Sequence, residues 1–122
     1  MKAPELDQRI AEHARALIAG DDRAAAAMVT QAGLATWRSV AAAINTRRPL
    51  DGYELLACAK IGMQFIAKTR FSTAGGALTL LIRWKQTDGK WMIAEAEDIS
   101  DKRSPWSDLQ HYSKERGGAT NA

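Results

Sequence analysis

The chain has little of what most simple functional assignments rest on: one cysteine, two histidines and three prolines in 122 residues. The lone Cys58 excludes an internal disulfide and points to a reducing cytoplasm. Nothing beside it would lower its pKa, so it reads as a small core residue and not as a nucleophile. Two histidines without shared spacing exclude a zinc site, and no metal or cofactor is expected. No apolar run approaches the roughly 20 residues of a membrane helix. The start, Met1-Lys2-Ala3-Pro4-Glu5, turns acidic and amphipathic at once and lacks the apolar core of a secretory signal. Charge of one sign is scarce too. Seventeen Lys and Arg against 14 Asp and Glu leave +3, and the densest basic points, Arg47-Arg48 and Lys102-Arg103, are two residues long. Nucleic-acid binders gather such residues on one surface, so this pattern reads as a solvated exterior.

What is present is an ordinary globular composition, 46% hydrophobic and 25% charged. A chain of this length buries roughly 65–70% of its extended surface, enough for a core without staples. One domain over residues 1–106 is expected, followed by a polar, partly disordered tail over 107–122. In the first, Ser104-Pro105-Trp106 folds back so that the indole is not left wet.

Three helices come first. Pro4 suits a first helical position, and Leu6, Ile10, Ala14, Leu17 and Ile18 share one stripe. Gly20 stops that helix, and Asp21 or Asp22 caps a second running to about Gln31. Gly33 breaks the second, and a third over Leu34–Ile44 presents Leu34, Trp37, Val40, Ala41 and Ile44. After a loop to Gly52 the period changes to two. Tyr53–Lys60 and Met63–Ser72 read as strands, followed by a hairpin over Leu78–Ile99. Helices first and an antiparallel meander second predict an α+β fold, three helices packed on a curved four-stranded sheet.

The hairpin fixes a register. Asp88-Gly89 between alternating apolar runs suits a type I′ turn, which needs positive φ at both central positions. Counting outward, Thr87 pairs with Lys90, Trp84 with Ile93, Ile82 with Glu95 and Leu80 with Glu97. Glu95 and Glu97 then share an apolar face with Trp84 and Trp91. Desolvation there would raise a carboxyl pKa from about 4.3 toward neutrality, which general acid or base catalysis requires. Two alternatives stay open: a wet rim for this part of the strand, or a bulge near Ala94 that turns Glu95 outward and brings Asp98 inward.

Leu80, Ile82 and Trp84, the Asp88-Gly89 turn, and Trp91 and Ile93 together resemble the closing hairpin of the nuclear transport factor two-like superfamily. That group includes the SnoaL-like and ketosteroid-isomerase-like proteins of cystatin-like α+β architecture. The resemblance spans about Leu6 to Ser100. It implies a cone in which the sheet wraps the helices around a mostly apolar cavity, and a dimer through the outer sheet face. Isomerase-like members use a Tyr with two acidic groups and epoxide hydrolases an Asp–Arg–Asp set; neither can be placed on this chain. A shared fold carries little chemistry by itself.

The catalytic candidates are therefore Glu95, Glu97 and Asp98. Residues placed to line a ligand pocket are His13, Trp37, Tyr53, Trp84, Glu95 and Glu97. For each there is a plainer alternative: His13 as a core-edge imidazole, the tryptophans as core, Tyr53 as a strand edge. Arg83 and Lys85, near small Ala94 and Ala96, suit either a homodimer interface or a solvated face. The expected function is non-catalytic binding of a small, largely apolar molecule or a partner; the alternative is a cofactor-independent isomerase or dehydratase using a strand carboxylate.

Overall fold

The computed structural model describes residues 4–100. The expected anchoring of Trp106 and the tail over 107–122 lie outside them. Helices α1 (Pro4–Ala19), α2 (Asp22–Ala27) and α3 (Leu34–Arg47) precede strands β1 (Leu50–Ile61), β2 (Gln64–Thr73), β3 (Gly76–Thr87) and β4 (Lys90–Asp98). The strands form one open antiparallel sheet in the order β1-β2-β3-β4. The class is α+β, as the switch in periodicity predicts. No helix among the described residues is long and apolar enough to cross a membrane.

Leu6, Ile10, His13, Ala14 and Leu17 are all buried along α1, at the spacing that puts side chains on one helical stripe. They join Phe65, Ala67 and Phe71 of β2, Leu78, Leu80, Ile82 and Trp84 of β3, and Trp91 and Ile93 of β4 in one core. These strand positions alternate, so the sheet has a helix-facing side and an outer side. At about 25 cal/mol per Å2, burying one large apolar side chain contributes roughly 1.5–3 kcal/mol. Trp84, only 1% exposed, sits at the centre of this contact.

Helix α2 is shorter than its sequence predicts. The Asp21 side chain caps it by accepting from the Ala24 N–H at 3.2 Å, but it ends at Ala27. Beyond it the backbone opens to pair with β4: Ile93 N–H donates to Met28 O at 2.7 Å, and Thr30 N–H donates to Ile93 O at 2.9 Å. Val29 thereby forms a parallel bridge with Ile93. An edge strand presents unpaired backbone groups, and satisfying them outweighs one further turn of an Ala-rich helix. Helix α3 runs three residues past its predicted end. Its C-terminal neighbour Arg48 grips Asp22, with Nη1 to Oδ2 at 3.1 Å and Nη2 to Oδ1 at 2.5 Å. That ion pair holds the Asp22 carboxyl below the usual range and ties α2 to the end of α3.

Candidate functional site

The turn at Asp88-Gly89 forms as expected, both residues having positive φ (53° and 79°). Thr87 pairs with Lys90 and Trp84 with Ile93. Beyond that point the register differs from simple alternation. Arg83 pairs with Glu95, Ile82 with Ala96, Leu81 with Glu97 and Leu80 with Asp98, because Ala94 is an extra residue on β4. The expected pairings of Ile82 with Glu95 and Leu80 with Glu97 are therefore corrected. Glu95 and Glu97 lie on the outer side, and Ala96 takes the buried place opposite Ile82. The physical reason is desolvation. Placing a carboxylate against buried Ile82 would cost several kcal/mol, whereas a bulge costs one unpaired residue; the carboxylate that then falls opposite Leu80 is Asp98, at the strand end, where Ser100 hydrogen-bonds it.

The bulge has a specific mate. Gly33, the residue preceding α3, lies so close to it that a Cβ there would stand 2.8 Å from the Ala94 carbonyl oxygen. One helical turn on, the Thr36 hydroxyl donates to Gly33 O at 3.0 Å and accepts from Ala96 N–H at 3.2 Å. Helix α3 is thus fastened along the margin of β4, and its side chains border the outer side of the sheet.

Between them runs an open groove of about 500 Å3. Thr36, Ser39 and Val40 of α3 form one wall, Ile66 and Leu81 the apolar floor, and Arg83, Glu95, Glu97 and Asp98 the polar rim. Arg83 Nη2 approaches Glu95 Oε1 at 3.5 Å, both side chains about half exposed (45% and 53%). Asp98 is engaged elsewhere as well: its Oδ1 accepts from Ser100 N–H at 2.9 Å and from Ser100 Oγ at 2.6 Å, closing the end of β4. In this arrangement Asp98 orders a turn. All three candidate carboxylates border this groove, but not from one face: Glu95 and Glu97 lie on the outer side, while Asp98, paired with buried Leu80, falls on the helix-facing side, as the alternative of a bulge near Ala94 expects.

The other expected pocket residues gather elsewhere. His13, 2% exposed, has its ring edge against Trp37 (centroids 4.9 Å) and Trp84 (5.9 Å) inside the core. Burial, and next the charge of Arg9, lower the His13 pKa from 6.5 to about 4, so the imidazole is neutral at neutral pH. Its Nε2 and the Trp84 indole N–H have no hydrogen-bond partner among the described residues. Tyr53 is opposite Phe71 on β1, its ring 6.2 Å away, and belongs to neither group. The expected set therefore divides: His13, Trp37 and Trp84 pack together in the core, Glu95 and Glu97 line the groove, and Tyr53 stands apart. Metal-ligating clusters are absent among the described residues.

Sequence reasoning missed Thr36 and Ser39 as groove residues. Both are small polar positions on the same side of α3 as Val40, and a helical stripe alone does not show which strand lies beside it. No protein-family model matches the chain, and no curated protein matches it.

Proposed function

We propose that this domain is a non-catalytic binding module of the nuclear transport factor two-like kind. It holds a small, partly apolar molecule or a partner segment in the α3–β4 groove and forms a homodimer through the outer sheet face. The observation that carries this reading is the bulge at Ala94, which moves the acidic side chains out of the core and into an open groove with an apolar floor. The helix-facing side, where the resemblance implies a cavity, holds Trp84, Phe71, Leu80, Ile93 and the His13–Trp37 contact. Acid–base chemistry by Glu95 or Glu97 needs a desolvated carboxylate, and the outer position removes that premise. A cytoplasmic setting accords with the single Cys58.

Fragment screening by backbone amide NMR tests the site. Shifts for bound fragments should cluster at Thr36, Ser39, Leu81 and Glu95 to Asp98, and the Glu95→Gln/Glu97→Gln double variant should retain affinity within about threefold, since apolar contact supplies most of it. Shifts centred on His13, Trp37 and Trp84 would place the site inside the core and overturn the reading.

A further inference from the structure

The groove between α3 and β4 differs in charge from the chain that forms it. The whole chain is basic, with a net charge of +3. Among the described residues that line the groove, Arg83 stands against Glu95, Glu97 and Asp98. Glu97 is already engaged within the chain, and discounting it altogether still leaves two carboxylates to one guanidinium. Arg83 does not neutralise Glu95 by close contact: Nη2 and Oε1 stand 3.5 Å apart, beyond a good hydrogen bond, and both side chains are half exposed. Asp98 engages Oδ1 with the N–H and hydroxyl of Ser100, and that hydroxyl accepts in turn from Thr79 N–H at 2.8 Å. These donors are neutral, so they fix the Asp98 carboxylate without cancelling its charge.

We infer that the groove selects a cationic amphiphile, a small molecule with an apolar body and a protonated amine at one end. The inference rests on the binding reading above and adds the charge class of the ligand. The body lies on Ile66 and Leu81, and the ammonium stands toward the rim. Carboxylates around one groove of about 500 Å3 act on such a ligand from roughly a Debye length or less, so their potentials add there. Apolar walls of low dielectric focus that field. An ammonium donates up to three hydrogen bonds and accepts none, which suits a rim of carboxylates with the exposed Ser39 hydroxyl beside them. An anionic ligand has Arg83 alone to attract it, with Glu95 alongside.

Exposure sets the size of the effect. Charges that reach water are screened, so the rim governs preference between ligands of one shape while apolar contact supplies most of the affinity. Preference, and not affinity alone, is therefore the quantity to measure.

Three probes of similar shape separate charge from bulk: naphthylmethylamine, naphthylmethanol and naphthoate. Each is titrated into the full chain and followed at the Ser39, Leu81 and Glu95 amides by NMR. In about 20 mM NaCl the amine should bind about threefold tighter than the alcohol and the carboxylate about threefold weaker, a spread of about tenfold. In about 500 mM NaCl the spread should shrink to within about twofold. Glu95→Gln/Glu97→Gln should leave the alcohol's affinity within about twofold and remove or reverse the spread, because Arg83 then faces Asp98 alone. Arg83→Gln should widen it to about thirtyfold. All three positions are exposed, and circular dichroism checks that each variant remains folded. Opposite shifts from the two variants are a signature that a merely structural disturbance does not give. Probes that bind at these amides within about twofold of one another, or a spread that Arg83→Gln does not widen, overturn the charge class and leave the binding reading standing. Failure of all three to move these amides by about 10 mM, where apolar bodies of this size bind a formed site, overturns the binding reading with it.

Discussion

Gly33 touches Ala94 backbone to backbone, and that contact decides how β4 continues. With no side chain at residue 33, α3 approaches the bulge closely enough for Thr36 to cap the Ala96 N–H. Gly33→Ala should therefore destabilise the fold by about 1–3 kcal/mol, the usual cost of forcing an extra carbon into close-packed backbone. Gly52, where a Cβ would meet nothing within 4 Å, is the control. Gly52→Ala should change stability by less than about 0.5 kcal/mol in urea titrations, as surface substitutions do. Equal effects at both positions would refute the close approach.

The register has its own test. Ala96→Asp introduces a carboxylate opposite Ile82 and should cost about 3 kcal/mol or more, the penalty for an unpaired buried charge. Glu95→Ala removes a half-exposed ion pair and should cost no more than about 1 kcal/mol. If the order of these two effects were reversed in denaturant unfolding, β4 would follow simple alternation and the bulge would be wrong.

Thr36 links the helix to the bulge through one hydroxyl. Thr36→Val keeps the volume but removes both of its hydrogen bonds, leaving the Ala96 N–H without its acceptor. The expected loss is about 1–3 kcal/mol. Hydrogen exchange at the Ala96 amide should accelerate while that of Ile82, in the sheet centre, changes only with global stability.

Acid sensitivity should trace to His13. Its pKa is 6.5 in an unfolded chain and about 4 in the core, so the folded state holds fewer protons between those values. The neutral imidazole is compatible with the full stability above pH 6.5, and stability falls as pH drops from 6.5 toward 4. A difference of that size corresponds to about 3 kcal/mol. His13→Leu should remove most of this slope in urea midpoints measured across the interval. An unchanged slope would mean that His13 is not the group responsible.

Particular residues show how far the sequence could be read. The α1 stripe, the Asp88-Gly89 turn and the alternation of Leu78 to Trp84 are local signals, and the structure follows each of them. The end of α2 was not legible because Met28 to Thr30 answer to Ile93, more than sixty positions away, and local propensity favours helix there. The bulge near Ala94, with Glu95 turned outward and Asp98 inward, was legible as one of two alternatives to simple alternation, and the register realises it. Resolving it requires knowing that Gly33 arrives beside Ala94, which is a tertiary fact. The groove follows from the bulge, so its Thr36 and Ser39 wall was hidden for the same reason.

Because Met28 and Thr30 already occupy the free margin of β4, the two sides of the sheet are unequal toward other chains. Among the described residues strand β1 pairs only with β2, and its far margin over Leu50–Ile61 is mostly exposed. Templated fibril growth or strand exchange would begin there, where register breaks near Asp51 and Leu56, together with the charge of Lys60, work against it. Loss of that lysine removes a guard at a margin where a misfolded neighbour can add a strand.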